Sequence, residues 1–163
     1  MKMRRARQQL SKEQCEAVLQ RQTSGVLALA TPDGIPYAVP LSYTYDEGKI
    51  LFHCAKQGYK RTLIEVNPRV SFCVIDQDEV VAEAFTTKYR SVIVFGHIRI
   101  LEKADEKRAA IRQFADRFAP GQEAAREAEI ARFWEQLMMW ELTITGMSGK
   151  EAIECVRERR EQQ

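Results

Sequence analysis

The 163-residue sequence has little of what marks several large protein classes. No apolar run approaches the roughly 20 residues that a membrane-spanning helix needs, and no apolar segment follows the basic N-terminus as it would in a secretory signal. The formal net charge is only +2, which gives no reason to expect nucleic acid as a partner. These absences predict a soluble cytoplasmic protein that binds neither membranes nor nucleic acid.

Cysteine and histidine are few and are not spaced as metal ligands. The chain has four cysteines and two histidines, no C-x-x-C pair and no Cys/His spacing typical of a zinc site. Cys54 and Cys73 lie in apolar, strand-like segments, where a free cysteine usually acts as a small core residue. The sequence therefore predicts reduced thiols and no metal site.

What the sequence does contain is a dense series of short apolar segments separated by turns. Their length and composition predict about six strands, at residues 25–31, 37–43, 49–54, 69–75, 89–101 and 140–145. Residues 76–88 are acidic and without a regular period, which predicts a long loop. Because long helices do not alternate with these strands, they favour a small antiparallel barrel over a parallel sheet.

Helical signals are confined to the periphery of this pattern. A capping box at residues 11–14 predicts the start of the first helix, and a short helix is expected over 58–66. Apolar residues at helical spacing predict two consecutive helices after residue 105. The first ends at Pro120-Gly121, and the second spans residues 122–139. One domain over residues 1–150 is expected, followed by a charged tail at 151–163 that is either a short helix or disordered.

Two residues predict interruptions in the sheet. Pro40 has no backbone amide to donate, so its strand is expected at an edge, at a bulge or at a break in the ladder. Gly96, inside the fifth strand, is typical of a bulge or of a close approach between backbones.

Five segments occur in an order that is similar to a known family. They are GVLAL at 25–29, PYAVPL at 36–41, FHCAKQGYK at 52–60, VSFCV at 70–74 and YRSVIVFG at 89–96. Together they resemble the pyridoxamine 5′-phosphate oxidase-like flavoproteins, and among these the subgroup that includes the nitroimidazole-resistance proteins. The resemblance implies a mainly β fold, the FMN-binding split barrel with peripheral helices, and a homodimer that holds FMN at its interface.

The basic segment at residues 56–61 is the candidate phosphate site. It carries Lys56, Lys60 and Arg61 at a predicted strand-to-helix junction, where free amides and the helix dipole favour an anion. The alternative is an ordinary solvated basic turn. The resemblance implies that Lys60 binds the FMN phosphate, with Lys56 a looser candidate. Tyr59 is also included in the site, although the subgroup usually has histidine at that position.

His53 is the candidate catalytic residue. It lies in an apolar strand that leads into the basic segment, and imidazole can donate a hydrogen bond or relay a proton near neutral pH. The resemblance implies a place at the flavin and the substrate. The alternative is a core histidine whose ring bonds a backbone carbonyl. His97, the other histidine, is interpreted as a structural or surface residue.

The resemblance also implies further contacts with the cofactor. These candidate residues are Val39, Pro40, Leu41, Ser42, Phe52, Arg90, Ser91, Val92 and Trp140. Three of them have ordinary alternatives: an edge-strand proline for Pro40, a surface ion pair for Arg90 and core packing for Trp140.

Three functions remain open at this stage. The first is an FMN-dependent oxidoreductase that passes electrons from a reduced nicotinamide, NAD(P)H, or a deazaflavin to a small organic acceptor of the nitroaromatic or quinone type. The second is a non-catalytic flavin- or haem-binding protein of the same fold, in which His53 or His97 could ligate iron. The third, nucleic-acid binding through Arg4, Arg5 and Arg7, conflicts with the weak net charge.

Overall fold

The structure, a computed structural model, describes residues 4–161 and is organised around one antiparallel sheet. Its strands are β1 (Ser24–Ala30), β2 (Pro36–Ser42), β3 (Thr44–Asp46), β4 (Lys49–Ala55), β5 (Arg69–Val81), β6 (Thr86–Ile100) and β7 (Leu137–Glu151). They are arranged in the order β2-β1-β5-β6-β7-β4-β3. The six predicted strands are confirmed, and the short β3 is additional.

Five helices surround the sheet. They are α1 (Lys12–Arg21), α2 (Tyr59–Val66), α3 (Ala104–Phe118), α4 (Glu123–Phe133) and α5 (Ile153–Glu161), with short 3-10 turns at Ala6–Gln8 and Ala82–Ala84. The capping box is confirmed, since the Gln14 amide donates to Ser11 Oγ and the Ser11 amide donates to Gln14 Oε1. Within residues 4–161, none of the helices is both long enough and apolar enough to cross a bilayer.

The sheet curls into a barrel that encloses the main core. The rings of Phe52 on β4 and Phe72 on β5 lie 5.1 Å apart and nearly perpendicular. Three strand spacings separate β5 from β4 in the sheet, about 14 Å if the sheet were flat. The direct contact between these rings therefore requires strong curvature. α1 closes this core with Val18 and Leu19, and the Tyr43 hydroxyl donates to Leu19 O.

A second, smaller apolar cluster lies on the outer side of the barrel. α3 and α4 pack there against β4 and β7, burying Leu51 and Met139 between them. The Lys107 ammonium fastens this helical pair, because it donates to Trp134 O at 2.7 Å and lies 4.0 Å from the Trp134 ring centre. The pair thus covers one part of the outer surface, near the carboxyl end of β4.

The predicted loop at residues 76–88 is wrong. Gln77 to Val81 pairs with Thr86 to Arg90, so β5 and β6 continue as a two-stranded hairpin. The hairpin carries few buried side chains, and Phe85 near its tip is 98% exposed. Without a buried face the alternation of apolar and polar residues disappears, which is why the sequence is typical of a loop.

Two predicted boundaries near the C-terminus also need correction. Residues 137–139, predicted as the end of a helix, begin β7, because three consecutive apolar residues fit a buried strand as well as a helix. β7 then continues to Glu151, and α5 buries Cys155 and Val156. The described part of the predicted tail is therefore helical, which is one of the two alternatives that the sequence leaves open. Residues 1–3 and 162–163, at the ends of the basic N-terminal stretch and of the tail, lie outside the described residues.

The expectations for Pro40 and Gly96 are both confirmed. β2 is an edge strand, so Pro40 removes no ladder bond that a central strand would need. The pairing of β6 with β7 shifts register between Phe95 and Gly96. A methyl group at Gly96 would overlap Thr143 O and approach Leu142 Cδ1 to 2.7 Å.

Replacing Gly96 by alanine is expected to lower the free energy of unfolding by about 1–3 kcal/mol, the usual cost of overpacking. The cause is the backbone oxygen of Thr143, which cannot move aside as a flexible side chain could. Urea unfolding would measure the loss. Gly146→Ala on the facing strand is the control, because no atom lies within 4 Å of its added methyl group. Equal stability of the two variants would contradict the close approach at Gly96.

Candidate functional site

The carboxyl end of β4 and the first turn of α2 form a junction suited to an anion. Gly58 is the N-cap of α2, with φ +137°, and no side chain caps the helix. The first amides of a helix have no partner within it, so an uncapped helix presents them to a ligand. A methyl group at Gly58 would meet open space, so the N-cap itself is not crowded. The Arg61 amide already donates to Gly58 O at 3.0 Å, which leaves the amides of Tyr59 and Lys60 for a ligand.

The three cations of the basic segment differ in their partners. Lys56 Nζ lies 3.7 Å from Glu135, and Arg61 Nε lies 2.8 Å from Glu65. The Arg61 guanidinium also donates to Lys56 O at 2.6 Å. No ion pair involves Lys60 among residues 4–161. Of the three cations at the junction, Lys60 is therefore the one whose charge is available to an anionic ligand.

His53 lies on the outer side of β4, within electrostatic range of this cation. Partial burial, and then the charge of Lys60, hold the pKa of His53 below its ordinary value of 6.5, so the imidazole is neutral at pH 7. Its ring centre lies 6.0 Å from that of Phe114 on α3. On the inner side of the same strand, burial raises the pKa of Cys54 to about 11, in spite of Lys60. Cys54 is a buried core thiol, as the sequence predicts, whereas Cys73 is only half-buried.

A cavity of about 710 Å³ begins at His53 and extends between β4, α3 and α4. Most of its wall is apolar, and the start of β7 closes one side through Leu137. Cavities of this size commonly hold a cofactor or a small organic molecule. The sequence does not reveal this cavity, because its lining depends on how α3 and α4 pack on β4 and β7, which cannot be deduced from the periodicity of the helices.

β2 approaches the junction from the other side. Tyr37 packs edge-on against Tyr59 at 5.2 Å between ring centres. Val39 and Leu41 are half-buried against the main core, whereas Pro40 and Ser42 are outward-facing and exposed. The predicted site residues on β2, on β4 and at the start of α2 are thus brought into one region.

Three predicted site residues have their side chains in the main core. Phe52, Val92 and Trp140 are fully buried, and Phe52 packs on Phe72. Trp140 Nε1 is buried without a hydrogen-bond partner among the described residues. In this arrangement Phe52 and Val92 can reach a ligand only through their backbone, and Trp140 has the core position that was its alternative interpretation.

Arg90 is held in a network of ion pairs. Its Nε lies 3.0 Å from Glu151, and its Nη1 lies 3.2 Å from Asp76. Arg159 contacts the same Glu151 carboxylate at 2.7 Å, and Arg21 pairs with Asp76. The carboxylates satisfy Arg90, so the alternative of an ion pair describes it well, although the pair is largely buried rather than on the surface.

The segment that contains Arg90 and Ser91 is far from His53 within one chain. Ser91 pairs with Lys150 on β7, whereas His53 pairs with Met139 on the same strand. Met139 and Lys150 are eleven residues apart, about 36 Å along a strand at 3.3 Å per residue. Along this strand, Ser91 therefore lies near the end opposite to His53.

A family model matches residues 11–151, nearly the whole described chain. Its description is pyridoxamine 5′-phosphate oxidase. A comparison with curated protein sequences found no match.

Several solved structures share the fold. A candidate 5-nitroimidazole antibiotic resistance protein from Bacteroides thetaiotaomicron has a TM-score of 0.72 at 19% identity, covering 88% of this chain and 86% of that one. An FAD-binding protein from Mesorhizobium loti has a TM-score of 0.62 at 27% identity, with 88% and 96% covered. An FAD- and haem-binding protein from Mycobacterium smegmatis has a TM-score of 0.74 at 22% identity, with 89% and 73% covered.

Proposed function

The chain belongs to the pyridoxamine 5′-phosphate oxidase family, and from this premise we propose that it is an FMN-binding oxidoreductase. It takes electrons from a reduced nicotinamide and passes them to a small organic acceptor of the nitroaromatic or quinone type. Solved relatives that bind FAD support flavin as the cofactor class. The observation that carries the proposal is the unpaired Lys60 at the uncapped start of α2, beside His53 and a large apolar cavity.

The residues at the junction fit a flavin nucleotide with one phosphate group. The Lys60 ammonium and the first amides of α2 would hold the phosphate, and Gly58 leaves room for its approach. β2 is an edge strand, so part of its backbone is free to hydrogen-bond the polar edge of the ring. The flavin supplies the electron transfer when it is bound, so no protein nucleophile is required.

His53 would act on the acceptor. Its neutral imidazole can donate one hydrogen bond to a nitro or carbonyl oxygen, and its protonated form can deliver a proton. Because it lines the cavity and is within electrostatic range of Lys60, it is placed to meet both the cofactor and an acceptor. His97 points outward on β6, pairing with Arg69 and Thr143 in the sheet.

A homodimer with FMN at its interface is part of the proposal. Pro40, Val26, Cys73 and Ile93 lie side by side across β2, β1, β5 and β6, and form an apolar stripe on the outer face. Val26 and Ile93 are each 38% exposed within one chain. A second copy would cover this stripe. It would also bring its own Arg90–Val92 segment to the cofactor, since within one chain this segment pairs with the end of β7 opposite to the partner of His53.

Lys60→Ala is expected to weaken FMN binding at least tenfold, since it removes a charge-assisted contact with the phosphate that contributes about 1.5–3 kcal/mol. Riboflavin, which has no phosphate, should bind the variant and the unaltered protein equally. Fluorescence titration with the two flavins measures both effects. Lys12→Ala is the matched control, because Lys12 is an exposed lysine in the first turn of α1.

The absorption spectrum of the purified protein tests the cofactor class. Flavin bands are expected at about 370 and 450 nm. A Soret band would instead support the haem-binding alternative.

If Lys60→Ala, in folded form, bound FMN as tightly as the unaltered protein, Lys60 would not be part of the phosphate site.

A further inference from the structure

The cavity between β4, α3 and α4 has a wall made mainly of small and apolar side chains. Ile111, Ile130 and Phe133 supply bulk, and Ala115 and Ala119 leave the space that the cavity occupies. Such a wall favours a molecule that gains free energy by leaving water, about 25 cal/mol for each Å² of apolar surface buried.

The charged groups that line the cavity are already neutralised by neighbours. Arg126 is only 14% exposed and pairs with Asp116, while its Nε lies 3.3 Å from Glu127. Glu127 also accepts two hydrogen bonds from Arg112 at 2.8 Å, so two carboxylates neutralise two guanidinium groups in this cluster. Glu129 lies 3.9 Å from Arg132. The lining therefore holds one cation and one anion, each with its own partner, and offers no unpaired cation among the described residues.

A charged acceptor would find no counter-ion inside this cavity. Burying an anion without a partner costs several kcal/mol, whereas a neutral molecule does not incur this cost. The available cation, Lys60, is not among the residues that line the cavity and is assigned to the phosphate of the cofactor. The junction at Lys60 thus suits an anion, whereas the cavity suits an uncharged molecule.

We infer that this cavity is the acceptor site and that it selects an uncharged, largely apolar ring compound over a phosphorylated, carboxylated or sulfonated one. This inference rests on the proposed function, because it takes His53 as the point where acceptor and cofactor meet. It assigns to Arg126, Asp116 and Glu127 a role in specificity: the two carboxylates neutralise the guanidinium and so keep anions out.

The charge preference can be measured with a matched pair of probes. Equilibrium dialysis of the full-length, flavin-loaded protein, without an electron donor, would compare 1,4-naphthoquinone with its 2-sulfonate. The neutral quinone is expected to bind at least tenfold more tightly. Equal or tighter binding of the sulfonate would overturn the inference.

The carboxylates that neutralise Arg126 can be removed by substitution. In the double variant Asp116→Asn/Glu127→Gln, Arg126 loses both carboxylates, and Arg112, which does not line the cavity, loses Glu127. The affinity for the sulfonate should then rise at least tenfold, and that for the quinone should change less than twofold. Glu154→Gln/Glu158→Gln on α5 is the control with the same change in net charge. A similar gain in both double variants would show a general charge effect and would overturn the role of Arg126.

The location is tested by filling the cavity. Ala115→Phe/Ala125→Phe should weaken quinone binding at least tenfold and leave FMN affinity within twofold. Ala109→Phe/Ala128→Phe, at exposed positions of the same helices that do not line the cavity, should change neither. Unchanged quinone binding in the first variant would place the acceptor elsewhere.

The outcome for FMN separates this inference from the proposed function. If the filled variant loses FMN as well, the cavity belongs to the cofactor and the inference fails, while flavin binding stands. If the unaltered protein binds no flavin, the proposed function fails. The comparison of the two quinones on the same flavin-free chain then still decides whether the cavity excludes anions.

Discussion

Glu151→Gln is expected to lower the free energy of unfolding by about 3–5 kcal/mol, the usual cost of removing one partner from a buried ion pair. The Glu151 side chain is 1% exposed and accepts hydrogen bonds from Arg90 and Arg159. Glutamine keeps the volume but not the charge, so Arg159 loses the carboxylate with which it pairs and Arg90 keeps only Asp76. Urea unfolding, with the slope of the transition checked for constancy, would measure the change.

The matched control for Glu151 is a glutamate at the surface of the same region. Glu158 pairs with Lys88 while it is 49% exposed, so Glu158→Gln should cost no more than about 0.5–1 kcal/mol. If the two variants lost the same free energy, the Glu151 network would contribute no more than a surface pair. In that case, the ion pairs around Glu151 would not be what holds β5, β6 and α5 together.

The barrel could be predicted because its strands show a clear period. Leu27, Phe72 and Val94 alternate with outward residues along β1, β5 and β6, and each faces the main core. The hairpin beyond Asp76 has no buried face and therefore no such pattern. The length of β5 and β6 could not be obtained from periodicity for this reason.

The candidate site was only partly accessible from the sequence. His53 and Lys60 lie seven residues apart, at a junction that local signals identify, and the structure places them together. The partner of Arg90 could not be predicted in the same way, because Glu151 follows it by 61 residues. The cavity depends on how α3 and α4 pack on β4, which is a property of the folded chain and not of any one segment.

The residues predicted to contact the cofactor lie in two separate parts of the chain. One chain supplies β2, the end of β4 and the start of α2, together with the cavity. Arg90 to Val92 lie at the other end of β7. If these residues contact the cofactor as predicted, then binding of FMN and association of two chains depend on each other. Dilution of the protein should then release flavin.

His53→Ala is expected to reduce turnover of a quinone by about 10²–10⁴-fold, the range for loss of a general acid or base, while FMN affinity changes little. The reason is position: His53 borders the cavity rather than the amides of α2. Anaerobic stopped-flow kinetics would separate reduction of the flavin by a nicotinamide from its reoxidation by the acceptor. The loss should fall on the second step. His97→Ala is the control, because it removes the only other histidine.

The pH profile distinguishes proton delivery by His53 from hydrogen bonding alone. Burial and Lys60 lower the pKa of His53 below 6.5, so its protonated fraction falls as pH rises through that lowered value. If imidazolium delivers the proton, acceptor reduction should slow over the same range below pH 6.5. This dependence should be absent in His53→Gln, which can donate a hydrogen bond but cannot become cationic. Full activity of His53→Ala would contradict both proposed actions of His53. An identical pH profile in His53→Gln would mean that the proton comes from another source and that His53 only donates a hydrogen bond.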